Sequence, residues 1–195
     1  MAEKYGTYHL ADNPDLYEIQ RSNNFEFQVG FDVAGKILKS GVTTRAAEDF
    51  LDGATSQEYL RLAVTKASIP NFSQDIITIK RGNSVMKAAG LPTFSEGTLV
   101  VNDFIGADVK SILMAWQRLS YDVTTEKIGK MSDYKFNCTL TEYTPNYEQV
   151  RYWDLKGCWI SEISEDDFNQ ESGDKKQITA KIQYDYAIMH LPDVE

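Results

Sequence analysis

Cysteine and histidine are scarce in this chain of 195 residues, with two of each. Cys138 and Cys158 form neither a CxxC redox pair nor a zinc pair. Both fall in strand-like text and read as reduced, buried, small apolar residues; a disulfide between neighbouring strands is the alternative. His9 and His190 sit near opposite ends, outside any HExxH pattern and away from a candidate nucleophile. No apolar run approaches 18 residues, so no transmembrane helix is expected. The opening MAEKYGTYHLADNPD has no apolar core, so no Sec signal is expected. Cations are in deficit, 20 Lys+Arg against 29 Asp+Glu, for a net charge of −9. That sign argues against gripping phosphates and against docking on an anionic membrane.

The nucleotide and hydrolase signatures GxxxxGK[ST], GxGxxG and GxSxG are absent. The acids Glu162, Glu165, Asp166, Asp167, Glu171 and Asp174 lack the DxDxDG spacing and glycine turn of a calcium loop, and read as a solvated acidic loop. A paired-carboxylate hydrolase is not excluded by spacing, but among 29 acids chance pairs are expected. The expectation is no enzyme, no cofactor and no metal.

What is present is a β-rich globular composition. Hydrophobic residues make up 42% and aromatics 12%, too much for wholesale disorder. The length suggests one domain with elaborations, burying about 70% of its unfolded surface. Phe25, Phe27, Val29, Phe31 and Val33 alternate with polar residues, a half-buried strand. Residues 60–69 read as a strand ending before Pro70. Residues 76–80 and 85–87 form a hairpin with Gly82-Asn83 at its tip. Residues 98–104, 134–143 and 149–160 read as strands. Ile178, Ala180, Ile182, Tyr184, Tyr186 and Ile188 alternate with polar residues, one unbroken eleven-residue strand. Val109, Ile112, Leu113, Trp116 and Leu119 fall at helical spacing, with Asp108 as N-cap, a helix over about 108–119.

The fold expected is mainly β: an antiparallel β-sandwich or barrel of seven or eight strands with one helix. Residues 1–20 form an N-terminal arm, and 21–195 a single β domain with a long loop at about 35–59. A short helical turn is expected within that loop, at 45–51. A loop of that length in a compact domain is usually functional or disordered.

Several segments carry a resemblance to a known family. They are Asn24-Phe25-Glu26-Phe27-Gln28-Val29, Ala67-Ser68-Ile69-Pro70-Asn71-Phe72 and Gly90-Leu91-Pro92-Thr93-Phe94-Ser95 leading into the strand 97–103. The helix follows, then Trp153-Asp154-Leu155-Lys156-Gly157-Cys158-Trp159-Ile160-Ser161-Glu162-Ile163-Ser164, a polar loop and the closing strand. Over roughly residues 20–190, this order resembles bacteriophage tail tube proteins of the contractile-tail type. The loop 35–59 and the arm depart from the smallest members.

The resemblance implies a structural virion protein of the tail, assembled in the host cytoplasm. Six copies form a ring with a continuous inner β-barrel, and rings stack into a tube. Double-stranded DNA passes through the lumen without specific binding, and the sheath, tape-measure and baseplate proteins are partners. Thr179, Gln183 and Asp185 are the candidate lumen residues. Arg45, Glu48, Asp49, Phe50 and Tyr59 are the candidate contacts to the next ring or the sheath. The alternatives are a type VI secretion-like tube protein, a tail terminator or baseplate tube-initiator ring, and, more remotely, a monomeric β-barrel that binds a ligand or catalyses a reaction.

Overall fold

The computed structural model describes residues 19–30, 53–105, 109–167 and 173–191. Among them lie eleven strands and three helices. In chain order these are β1 (Phe25–Gly30), α1 (Gly53–Ala63), β2 (Val64–Ala67), β3 (Phe72–Arg81), β4 (Ser84–Phe94), β5 (Gly97–Asn102) and α2 (Val109–Ser120). They continue with β6 (Tyr121–Asp122), β7 (Lys127–Ile128), α3 (Met131–Tyr134), β8 (Phe136–Tyr143), β9 (Gln149–Glu165), β10 (Gln177–Gln183) and β11 (Tyr186–His190). The expected turn at 45–51, the N-cap Asp108 and most of the arm lie outside the described residues.

The main sheet has the order β1-β8-β9-β10-β5-β2, with β11 also paired to β9, and every pairing is antiparallel. β9 is the organising strand. At Gly157 its φ turns to +71°, a left-handed conformation that glycine adopts without steric cost and that marks a bulge. Up to Cys158 it pairs with β8 and β11, and from Trp159 onward it pairs with β10. The two halves of the sheet therefore meet along one bent strand.

The core fills the space inside this sheet. Phe27, Val29, Leu140, Leu155, Ile160, Leu99, Val101, Ile178, Ala180 and Ile182 are all buried. α2 supplies Val109, Ile112, Leu113, Trp116 and Leu119 from one face, as its spacing predicts. Trp116 has no exposed surface. Its ring meets Phe136 edge-on at 5.7 Å, and its indole N–H donates to the Tyr134 carbonyl at 3.0 Å, so the polar atom is not stranded. Cys138 and Cys158 are buried free thiols. Burial pushes the Cys138 thiol well above its usual value, helped by its hydrogen bond with Cys158.

Three sequence expectations change. Residues 60–69 are not one strand: α1 runs to Ala63 before β2 begins. Leu60 and Ala63, three apart, are buried while Leu62 is exposed, a helical pattern and not an alternating one. More than one helix is present. The final strand is also broken. β10 ends at Gln183 and β11 begins at Tyr186, because each follows a different half of the bent β9. Beyond the break the alternation fails, and Tyr186 and Ile188 are exposed.

Candidate functional site

Two surfaces stand apart from an ordinary solvated exterior. The first is the outer face of β9, β10 and β5. With Ile178, Ala180 and Ile182 turned into the core, Thr179, Lys181 and Gln183 share the opposite face. Thr179 lies opposite Val100 and Ser164, and Lys181 lies opposite Thr98 and Glu162. Lys181 Nζ reaches Glu162 Oε2 at 2.8 Å. That hydrogen bond first, then the fields of Glu162 and Glu96, raise the Lys181 pKa. Gln183 Nε2 donates to Glu96 at 3.0 Å, and Gln177 Nε2 to Asn102 at 3.3 Å. Apart from Val100 and Trp159, the face carries hydroxyls, amides and carboxylates, with Lys181 matched by Glu162 and Glu96. It ends at β2, which among the described residues pairs only with β5.

The expected site residues separate on this geometry. Thr179 and Gln183 share the face. Asp185 does not continue it, because it sits in the break between β10 and β11. Its backbone N–H donates to the Lys156 carbonyl at 2.9 Å, and its carboxylate receives Lys135 Nζ at 2.7 and 2.8 Å. A Cβ at position 157 would run into that carboxylate, so Gly157 and Asp185 fit together at the bend. Tyr59 lies on α1, half-buried and packed against the core, which leaves little of its ring for a neighbour. Arg45, Glu48, Asp49 and Phe50 lie outside the described residues.

The second surface was legible only as a hairpin. Among the described residues, β3 and β4 pair only with each other. They form a freestanding ribbon longer than the sequence suggested, turning at Gly82 with φ +62°. All ten residues of β3 are exposed. The ribbon is anchored at its base. Phe72 contacts Phe94 at 5.6 Å, Phe94 contacts Tyr184 at 5.9 Å, and the Asn71 N–H donates to the Tyr184 hydroxyl at 3.3 Å. The adjacent Ile76 and Ile77 were the available signal, since two consecutive apolar residues leave a strand without a polar face.

Elsewhere, Glu26 accepts from Gln28 at 2.7 Å, Tyr143 at 2.9 Å and Arg61 at 3.1 Å. Burial alone would raise its pKa; these donors outweigh it and hold the carboxyl below its usual value. No group of three or more His, Cys, Asp or Glu residues suited to a metal occurs among the described residues.

The fold as a whole is similar to solved structures. A chain of the sheath-tube complex of an extracellular contractile injection system (PVC, extended state) aligns with a TM-score of 0.62 at 14% identity, covering 96% of this chain and 99% of that one. The chain has the fold of contractile-injection-system tube proteins. The cap that terminates the tube of the anti-feeding prophage contains a chain that aligns at 0.62 and 12% identity, over 98% of this chain and 95% of that one. A chain of the PVC sheath/tube terminator aligns at 0.60 and 15% identity, over 89% and 97%. No family model matches the sequence, and no curated protein matches it either. At identities this low the likeness is one of backbone fold.

Proposed function

We propose that this chain is the structural subunit of a tail tube. Six copies close into a ring, and rings stack into a hollow tube inside a contractile sheath. The observation that carries this reading is the four-strand array β9-β10-β5-β2, with one face buried, the other largely polar, and β2 paired on one side alone among the described residues. Bare edges invite pairing with another chain, and closure around a ring removes them. The polar face, with Thr179 and Gln183 on it and Asp185 at its rim, then lines the channel.

A wall of hydroxyls, amides and matched charges gives a polyanion nothing to hold. That suits passage of double-stranded DNA during ejection from a phage tail, with the tape-measure protein preceding it. Sheath and baseplate proteins are the outer partners, and the subunit is not an enzyme. A second reading has specific support, since relatives by fold include a tube-terminating cap and a sheath/tube terminator. A subunit of that kind forms a single ring and does not polymerise. Negative-stain microscopy with light scattering separates the cases. Stacked rings or tubes support the tube subunit, isolated rings the terminator. A protein that stays monomeric at high concentration, with sheath and baseplate present, removes both.

A further inference from the structure

Up to Cys158, β9 belongs to one half of the sheet, and from Trp159 onward to the other. Gly157, with φ +71°, lets the chain turn there. Glycine is also the least restrictive residue, so by itself it holds no particular angle. The side chains flanking the bend decide how far the two halves open.

Two neighbouring residues reach across it. Tyr134 closes α3, and Lys135 follows it, one residue ahead of β8. The Tyr134 ring meets Trp159, the first residue of the second half, edge-on at 5.9 Å. Lys135 Nζ lies 2.7 and 2.8 Å from the two carboxylate oxygens of Asp185, just after β10. Asp185 is tied in turn to the residue before the glycine, its N–H donating to the Lys156 carbonyl at 2.9 Å. Trp159 stands opposite Gln183, on the polar side and outside the core. The contact with Tyr134 accounts for an indole on that face.

Tyr134 and Lys135 are themselves held from the core. The indole N–H of Trp116, which has no exposed surface, donates to the Tyr134 carbonyl at 3.0 Å. The Lys135 N–H donates to the Met131 carbonyl at 3.1 Å. A continuous set of contacts therefore runs from the buried face of α2, through residues 134 and 135, to the second part of β9 and the end of β10. Neither outer contact is strong. The ion pair is partly exposed, and a ring pair adds only modestly to burial. What they supply is geometry: one point of contact leaves a hinge, whereas two points on different strands define an angle.

That angle has a consequence in a ring. The array β9-β10-β5-β2 is carried by the bend, and its tilt sets the direction in which β2 meets the next copy. Closing six copies requires a turn of about 60° at each, and a small error in one subunit is repeated in all of them. We propose that Tyr134 and Lys135 form a two-point brace that sets the angle of this array, and thereby the curvature at which copies of this chain close. The inference rests on the tube reading above and adds to it the positioning residues that fix the number of subunits in a ring. The isolated subunit keeps its core without the brace, so the brace matters more to the assembly than to the fold.

The test compares melting with ring size, read from top views in negative stain and from native mass spectrometry. Asp185→Asn removes the charge that draws Lys135. Trp159→Gln replaces the ring with a residue type already on that face. Each is expected to melt within about 4 °C of the wild type. Each is expected to lower the share of six-membered rings about threefold, in favour of open arcs and other sizes, and the two together about tenfold if the contacts act independently. Glu142→Gln is the control. It cuts the Arg151–Glu142 pair of 2.6 Å, which joins β8 to the first half of β9 without crossing the bend, and it is expected to leave ring size unchanged. Exchanging the charges, Lys135→Asp with Asp185→Lys, is expected to restore six-membered rings. Single and double variants that close like the wild type overturn the brace while the tube reading stands. An equal effect from Glu142→Gln overturns it as well, since any lost ion pair would then suffice. A charge exchange without rescue overturns the part assigned to Lys135. A wild type that forms no rings removes the tube reading and this role with it.

Discussion

Replacing Gly157 with alanine tests the bend that divides the sheet. Two costs arise, and their sizes can be separated. The backbone at 157 has φ +71°, and holding an L-residue there costs about 1–2 kcal/mol. The new methyl also meets the Asp185 carboxylate, whose Cγ would lie 2.9 Å away. That carboxylate is the end of a half-exposed side chain and swings aside easily, but in doing so it releases Lys135. The pair is 21% and 54% exposed, which limits its worth to about 1 kcal/mol at most. The sum is about 1–3 kcal/mol, with backbone strain the larger part. For a chain of this size that lowers Tm by about 2–12 °C. A double-mutant cycle isolates the second part. Asp185→Ala alone is expected to cost about 1 kcal/mol. In the Gly157→Ala background it is expected to cost almost nothing, since the ion pair is already gone. Melting followed by circular dichroism measures all four proteins. A Gly157→Ala protein that melts within about 1 °C of the wild type would refute the strained bend, and strict additivity would refute its link to Asp185.

Other expectations follow from the same geometry. Thr179→Lys with Gln183→Lys places two cations per subunit on the polar face; tubes are expected to form unchanged while DNA release slows at low salt and recovers as salt rises. Unaltered release kinetics would show that this face is not the channel wall. Glu26 has a folded-state pKa below its reference of 4.5, so its contribution is present above that pH and is lost as pH falls through the lower folded value. The Tm difference between wild type and Glu26→Gln should accordingly be clear at pH 7 and shrink steadily as pH falls below 4.5. Trp116→Ala is expected to cost about 3–5 kcal/mol, because it opens a cavity beneath α2 and leaves the Tyr134 carbonyl without its donor; denaturant titration measures it. Cys138 and Cys158 should react with a thiol reagent only at the rate of global unfolding, and fast labelling of the native protein would contradict their burial.

The sequence pattern reveals what is settled along one element, and conceals what is settled between elements. β1, β8 and α2 were legible because one face of each meets the core, so period two or period 3.6 is written into the side chains. The same period put Thr179 and Gln183 on one face. Asp185 was assigned to that face by extending the alternation, and the cause of the error lies elsewhere, at Gly157. No proline or glycine interrupts residues 178–188, so nothing local announces the break. It is imposed by the partner strand, whose bulge sends Gln177–Gln183 along one half of β9 and Tyr186–His190 along the other. α1 was misread because Leu60, Leu62 and Val64 suit an alternating strand as well as Leu60 and Ala63 suit a helix; packing against β1 and α2 chose the helix. The ribbon marks a different limit. Its apolar side chains have no partner within the described fold, so no periodicity within one chain encodes what they touch. The net charge of −9 carries a comparable ambiguity. It argues against a surface that grips phosphate without locating the acids, and the polar face is close to balanced, with Lys181 matched by Glu162 and Glu96.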